Sequence, residues 1–397
     1  MRVLIAEDDR ITRRMLERQI AEWGHDTISV ENGRQAWERF CQDNFSIVVS
    51  DWMMPEMDGL ELVRHIRKAP RAGYVYVILL TANTEKGDLV KWMEAGADDF
   101  LIKPFDPNEL RVRLRAGERI MELERSLAEK NADLEAVNQR MSRDLKAAAA
   151  VQQSLLPTAH LDVPGITVAW RFRPCDELAG DVLNVFRLDE KHVAVYVADV
   201  SGHGVVASLL SVTISRVLTP QPSGSSILVR TEPGSSAVHI QSPAEVAKEL
   251  NRRFQMDDSR GSYFSVAYGV LNLDSLQFRY VSAGHPAMIR QRGESISALH
   301  SEGYAIGWDV DVEYDEHIVE LSPGDRLWIY SDGLPEAMNS NLESFGEQRL
   351  NQSVQKHRDQ DLQGSVNLIV QDVENWCHPA GPKDDVSLLA MEIDKEM

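Results

Sequence analysis

Acidic residues gather at a few points in this chain, each just beyond a short apolar run. Asp8 and Asp9 follow the run at 3–6, Asp51 follows 47–50, Thr81 follows 75–80 and Lys103 follows 100–102. Carboxylates brought side by side repel unless a cation neutralises them, and an all-oxygen site of this kind suits Mg²⁺, which keeps several waters and accepts phosphate oxygens. In such a site Asp51 would be a carboxylate nucleophile able to carry a phosphoryl group. Lys103 would meet that group as a point charge, and Thr81 would donate its hydroxyl to it. Taken singly, each residue fits a turn or a cap equally well; the conjunction carries the reading.

A second set lies in the other half of the chain: Asp181 in A-G-D-V, Asp199 in V-A-D-V-S-G-H-G, Asp332 in Y-S-D-G-L, and Asp384-Asp385 in K-D-D-V-S-L-L. Each adjoins an apolar run, so each can stand at a strand end with its side chain turned into a common cleft. Several carboxylates without His or Cys partners select hard divalent ions, Mg²⁺ or Mn²⁺, over zinc. Two such ions about 3.5–4 Å apart can activate a water for in-line attack on a phosphate ester, with no protein nucleophile.

The elements that must position these groups differ along the chain. Residues 1–106 alternate apolar runs of strand length with amphipathic stretches near 11–23, 60–67 and up to Ala95, the pattern of buried parallel strands between helices. A doubly wound α/β domain is expected, with ligands beyond the carboxyl ends of its strands. From Gly165 onward the pattern becomes period two, at 167–172, 183–188, 192–197, 265–271, 278–282 and 325–330, with helices near 205–218 and 244–254; this predicts an antiparallel-rich α+β domain. Between those helices, residues 219–242 are rich in Pro, Ser and Gly and read as a mobile surface loop. Joining the two halves, Ile120, Leu127, Leu134, Met141, Ala148 and Leu155 recur every seven residues, with Leu123 and Val137 on the second seam and Lys130 and Asp144 interrupting it. That register predicts a coiled coil, and through it a homodimer.

Composition narrows the partners. The 397 residues ask for two or three domains. With 62 acidic against 42 basic residues, the net charge of −20 disfavours nucleic acid and anionic lipid. No apolar run approaches the roughly 18–20 residues of a membrane span, and the first apolar run is too short for a signal-peptide core, so a cytoplasmic location is expected. Cys41, Cys175 and Cys377 are widely spaced and fit reduced thiols.

Two resemblances follow from these motifs. The E-D-D at 7–9, D-W-M-M-P-E-M-D-G at 51–59, L-T-A at 80–82 and G-A-D-D-F-L-I-K-P-F at 96–105 resemble the receiver domains of bacterial response regulators over about residues 1–120. The resemblance implies that a histidine kinase phosphorylates Asp51, with Mg²⁺ held by Asp8, Asp9 and Asp51. Phe100 falls where receivers place an aromatic rotamer switch, although simple core packing explains it equally well. The stretches A-V-Q-Q-S-L-L-P ending at Pro157, A-G-D at 179–181, A-D-V-S-G-H-G at 198–204, S-A-G-H-P at 282–286, Y-S-D-G-L-P-E-A at 330–337 and K-D-D-V-S-L-L at 383–389 are similar to the PPM-family metal-dependent serine/threonine phosphatases. Within that family they resemble the bacterial group typified by RsbU and SpoIIE. This implies a β-sandwich fold holding two Mn²⁺ or Mg²⁺ ions through Asp181, Asp199, Asp332, Asp384 and the Val200 carbonyl, with Asp385 as a neighbour. His203 and His285 lie in family motifs. His203 has the chemistry to protonate a leaving serine oxygen, although a His in such a loop more often only braces it. One departure stands out: Asn184 occupies the place of a second aspartate.

The expected organisation is therefore a receiver at 1–120, a coiled-coil linker at 121–157 and a phosphatase domain at 158–397. The resemblances imply a response regulator whose phosphorylation at Asp51 controls, and on balance activates, a phosphatase acting on a STAS-type anti-sigma factor antagonist. An adaptor that has lost turnover is the rival reading, with Asn184 in its favour. No basic helix-turn-helix segment follows the receiver, and residues 179–183 do not supply a cyclase signature.

Overall fold

The computed structural model describes residues 1–70, 73–82, 94–157, 163–220, 226–231, 238–255 and 261–395. The chain divides into two compact units, Met1–Arg140 and Met141–Met397.

In the first unit, β1 (Arg2–Ala6), β2 (Asp26–Val30), β3 (Ile47–Asp51), β4 (Tyr76–Thr81) and β5 (Asp99–Ile102) form a parallel sheet in the order β2-β1-β3-β4-β5. The apolar runs are continuous because both sheet faces are covered: Val3 and Ile5 enter one core with Leu16 and Leu110, while Leu4 and Ala6 enter the other with Phe40 and Leu62. The helices α1 (Arg10–Glu22), α2 (Gly33–Gln42) and α3 (Gly59–Lys68) are each capped by a side chain, from Asp9, Asn32 and Asp58 respectively. The strand order reverses between β1 and β3, and a crevice opens at their carboxyl ends.

Helix α4 (Pro107–Gln153) is continuous over 47 residues. Leu110 and Leu114 are buried in the receiver core, whereas Leu123, Leu127, Leu134, Val137 and Met141 are exposed. The predicted linker is thus the later part of a helix that starts inside the receiver. The heptad register overran it by one position, since Leu155 lies in the turn beyond Gln153.

The second unit packs two five-stranded sheets face to face. One runs β15-β12-β11-β8-β7 and the other β14-β13-β16-β17-β6, with antiparallel pairing throughout. The first sheet comprises β7 (Val182–Arg187), β8 (His192–Val200), β11 (Phe264–Asn272), β12 (Gln277–Ala283) and β15 (His317–Glu320). The second comprises β6 (Ile166–Arg173), β13 (Met288–Arg292), β14 (Ser295–Leu299), β16 (Arg326–Tyr330) and β17 (Val386–Ile393). Alternate residues fill the space between the sheets: Val193, Val195 and Val197 of β8 meet Leu327 and Ile329 of β16 and Leu389 and Met391 of β17. The intervening residues face helices. Tyr196 and Ala198 pack under α5 (Val205–Val217) and α6 (Pro243–Arg253), and Trp328 and Tyr330 pack under α7 (Gly346–Lys356) and α8 (Leu362–Cys377). The last two helices had no counterpart in the periodicity reading.

The expected mobile loop at 219–242 is corrected over its described part. Strands β9 (Val229–Thr231) and β10 (Val238–Ile240) pair antiparallel, and Ile227, Leu228 and Val229 are buried in the core beneath α5 and α6. Proline and serine in the flanks concealed a short apolar anchor; residues 221–225 and 232–237 lie outside the described residues. No helix among the described residues is long and apolar enough to cross a membrane.

Leu389 is fully buried between the two sheets. Leu389→Ala is expected to destabilise the second unit by about 2–5 kcal/mol, lowering its denaturant midpoint while the receiver transition stays in place; a shift common to both transitions would contradict the two-unit division.

Candidate functional site

In the receiver the sheet delivers Asp51 at the end of β3 and Thr81 at the end of β4, both buried. Lys103, just past β5, places its Nζ 2.9 Å from Asp51 Oδ2 and 2.6 Å from Glu7 Oε2. Asp51 Oδ1 accepts from the Trp52 N–H at 2.8 Å, which fixes the carboxylate plane. The residues whose carboxylates converge are Glu7, Asp8 and Asp51. This corrects the expected ligand set. Asp9 faces the other way and caps α1, accepting from Thr12 N and Thr12 Oγ1 at 2.8 Å each, because a helix start leaves free N–H groups that an Asp satisfies well. Glu7 is the residue missed. It is fully buried with its Oε1 unpartnered among the described residues, and burial, with a smaller push from Asp51, raises its pKa to about 7. An orphaned oxygen amid three carboxylates fits a hard divalent ion, which Glu7, Asp8 and Asp51 would hold. Phe100 is half-buried against the core with the Arg113 guanidinium 5.8 Å from its ring centre.

In the second unit the aspartates line one rim of the sandwich: Asp181 precedes β7, Asp199 lies near the end of β8, Asp332 follows β16 and Asp384 precedes β17. Asp181 is 2% exposed and its Oδ2 has no partner among the described residues. Burial, then the charges of Asp199 and Asp385, raise its pKa well above the carboxylate range. Asp199 is raised to about 7 by burial and by Asp332 and Asp384, and Asp332 to about 6 by burial and by Asp384. The charge of Asp199 acts on Asp181, and those of Asp332 and Asp384 act on Asp199, so the four groups form one electrostatic system. An all-oxygen donor set with an orphaned buried oxygen fits hard divalent ions, with Asp181, Asp199, Asp332 and Asp384 as the residues to hold them.

The surrounding loops are held tightly. Asp385 Oδ1 accepts from Cys175 N at 2.8 Å, and its Oδ2 accepts from Gly180 N at 2.7 Å and Asp181 N at 3.3 Å. Asp385 therefore braces the loop that carries Asp181. A β-carbon on Gly333 would fall 1.9 Å from the Asp385 carbonyl oxygen, which is why Asp332 is followed by glycine. A β-carbon on Gly180 would fall 2.9 Å from the Val200 carbonyl oxygen, so that carbonyl faces the Asp181 loop. His203 is exposed, its Nδ1 3.4 Å from Asp176 Oδ2. His285 is buried, its Nδ1 2.7 Å from Ser265 Oγ, and burial lowers its pKa to about 3.

One further residue, Gln152, escaped the motif reading, and Asn184, named there as a departure, makes contacts the motif did not foretell. Gln152, in the last turn of α4, is buried; its Nε2 donates to Ala179 O at 2.6 Å and Ser211 Oγ at 2.9 Å, and its Oε1 accepts from Ala179 N at 3.1 Å. Asn184 donates from Nδ2 to Leu155 O at 3.0 Å, while its Oδ1 accepts from Val185 N at 2.8 Å. An ionised aspartate has no hydrogen to give that carbonyl. Asn184 thus ties down the turn after α4.

The parallel sheet with its acidic crevice and the two-sheet sandwich with its aspartate rim define a receiver domain joined to a PP2C-like phosphatase domain. Residues 189–394 match the family described as Stage II sporulation protein E (SpoIIE), and residues 3–115 match the response regulator receiver domain. The chain belongs to the SpoIIE family and carries a receiver domain at its front. The SiaA-PP2C domain of Pseudomonas aeruginosa has the same fold, with a TM-score of 0.55 and 20% identity, covering 65% of this chain and 99% of that one. Chemotaxis protein CheY1 of Helicobacter pylori is 30% identical over 116 residues, 29% of this chain and 94% of the relative. The probable transcriptional regulator ycf27 of Porphyridium aerugineum is 36% identical over 115 residues, 29% of this chain and 47% of the relative. The chain thus spans about half the length of the first of these curated relatives that it matches.

A carboxyl with a raised folded-state pKa keeps its proton in the folded chain after the unfolded chain has lost it. Such a group adds nothing below its ordinary value of 3.8 and opposes folding increasingly as pH rises toward the raised value, about 7 for Asp199. With divalent ions chelated, the melting temperature of the second unit should therefore fall between about pH 4 and pH 7. Millimolar Mn²⁺ should reverse the fall, and Asp199→Asn should flatten it. A metal-insensitive profile shared by wild type and Asp199→Asn would overturn this account.

Proposed function

We propose that the chain is a response regulator in which phosphorylation of Asp51 controls a metal-dependent protein serine/threonine phosphatase. Two Mg²⁺ or Mn²⁺ ions, when bound by the second unit, supply the charge that activates and orients a water for attack on a phosphate ester. The chain's own residues do the rest. Asp181, Asp199, Asp332, Asp384 and the Val200 carbonyl hold the ions, and Asp385 and Gly333 keep the two loops in register. His203, steadied by Asp176, protonates the leaving serine or threonine oxygen. In the receiver, Asp51 takes the phosphoryl group from a histidine kinase with Mg²⁺ held by Glu7, Asp8 and Asp51, while Lys103 and Thr81 bind the transferred oxygens.

The observation that carries the coupled reading is Gln152. The helix that begins beside the receiver core ends on a side chain making three hydrogen bonds around the loop of Asp181. A change in the packing or pairing of α4 therefore reaches a metal-holding loop through one residue, and we read receiver phosphorylation as activating. The exposed apolar stripe of α4 supports a homodimer through a coiled coil. By family likeness the substrate is a phosphorylated STAS-type anti-sigma factor antagonist, acting in a cytoplasmic partner-switching relay.

The test is hydrolysis of p-nitrophenyl phosphate and of a phosphoserine STAS protein with Mn²⁺ or Mg²⁺, with and without acetyl phosphate. Asp199→Asn should lose turnover by more than about 100-fold, beyond the loss usual for an outer-shell partner. Asp51→Ala should retain basal turnover and lose the response to acetyl phosphate. Gln152→Ala leaves the Ala179 N–H and C=O unpaired at about 1–3 kcal/mol each, and should blunt the response while Asp51 is phosphorylated as before. Absence of metal-supported turnover would refute the phosphatase reading, and an undiminished response in Gln152→Ala would refute the route through α4.

A further inference from the structure

The loop between β14 and β15 carries an aromatic and acidic surface that the chemistry above does not use. Trp308, Tyr304 and Val310 are 54%, 65% and 72% exposed, which costs free energy unless something covers them. Trp308 is nevertheless held in place. Asn251 of α6 is 3% exposed; its Oδ1 accepts from Gly307 N at 2.8 Å and its Nδ2 donates to Asp309 O at 2.8 Å, so one buried side chain clamps both neighbours of Trp308. The Trp308 ring also meets Tyr263 edge to face, with centroids 5.0 Å apart and planes at 81°.

Backbone pairing sets this platform beside the aspartate rim. Phe264 pairs with Val200 on one side and exchanges two backbone hydrogen bonds with Ile306 on the other. Tyr263 is tied to Ser201, whose N–H donates to Tyr263 O at 2.9 Å and whose Oγ accepts from Tyr263 N at 3.1 Å. Two strand spacings, about 10 Å, thus separate Ile306 from Val200, a reach that about three to five residues of extended chain cover.

Charge selects the occupant. From Gly293 to Asp325 the chain contains no lysine or arginine. Glu302, Asp309, Asp311, Glu313 and Asp315 are exposed and have no basic partner among the described residues, whereas Glu316 is paired with Arg279. A second copy of this chain, at a net charge of −20, a nucleic acid or an anionic membrane would each bring more negative charge to this face. An arginine side chain suits both features present, since its guanidinium stacks on an indole and pairs with carboxylates.

We propose that this surface recognises a basic side chain, arginine above all, about three to five residues from the phosphorylated serine or threonine of the substrate protein. The cation rests on Trp308 within the field of Asp309 and Asp311 while the phosphate lies at the rim. The inference rests on the phosphatase reading above and adds to it the sequence preferred around the phosphate.

The test uses the full chain in millimolar Mn²⁺ and phosphoserine peptides in which one arginine is walked from about five residues before to about five after the phosphoserine. The best arginine peptide should exceed its alanine counterpart in kcat/KM by about 10-fold at low salt, through KM, and glutamate at that position should fall below alanine. Trp308→Ala should bring the arginine-to-alanine ratio close to one, and Trp308→Phe should keep part of it. Asp309→Asn combined with Asp311→Asn should lower the ratio and its salt dependence. Because the ratio is taken within each variant, a general loss of folding cannot imitate the effect. Turnover of p-nitrophenyl phosphate without an arginine preference, or a preference that survives in Trp308→Ala, would overturn the platform and leave the phosphatase reading standing. An unchanged ratio together with a dimer lost in Trp308→Ala would give the face to a second copy instead. No turnover of p-nitrophenyl phosphate would remove the phosphatase reading and this inference with it.

Discussion

Crowded negative charge is the constraint around which both units are built. At the receiver crevice and at the sandwich rim, strand ends bring carboxylates together in partly dry surroundings, where each resists the ionisation of the next. The two units relieve this differently. The receiver has an internal cation, Lys103, bridging Glu7 and Asp51, so part of the repulsion in its crevice is relieved by the protein itself. The rim aspartates have no such partner: among the described residues the charges that act on Asp181, Asp199 and Asp332 are those of other acids. There, protons or divalent ions are what would relieve the repulsion.

Holding such a rim requires that the loops resist spreading, and the surroundings of Asp181 show how. Asp385 gathers three backbone N–H groups from two turns, and charge-assisted bonds of this kind are stronger than neutral ones. Gly333 lets the Asp332 loop press against the Asp385 carbonyl, a contact that any side chain would block. Each brace is made by a residue adjacent to a rim aspartate, so loop geometry and carboxylate geometry cannot vary independently.

The parts of this arrangement legible in the sequence are those that repeat a pattern. Continuous apolar runs marked β1, β3 and β4 because both faces of that sheet are buried, and alternation marked β8, β11 and β16 because only alternate residues enter the space between the sheets. The pattern ends one step short of the site. After β1 three acids stand in a row, and hydrophobicity cannot say which of them turn into the crevice and which caps the next helix; the register of α1 decides, and it assigns the cap to Asp9 and the crevice to Glu7 and Asp8. Gln152 was invisible for a related reason: it acts through long-range hydrogen bonds to Ala179 and Ser211 that leave no periodic trace, and the same holds for the bond by which Asn184, named only as a departure, reaches Leu155. Helices α7 and α8 went unread although they bury Leu350, Val354, Val366, Ile369 and Val373, because attention to strand alternation passed over a helical stripe interrupted by polar residues.

Gln152 and Asn184 act on the same short stretch. One anchors the last turn of α4 to the Asp181 loop and to α5, and the other anchors the turn that follows to β7. The stripe from Leu123 to Met141 leaves large apolar side chains exposed along the helix that ends at these anchors. A ligand moves an equilibrium only by its preference between two states. Under the function proposed above, a phosphoryl group at Asp51 would need no direct path to the aspartate rim, provided it favoured one arrangement of α4 that the two anchors at the helix end distinguish from another.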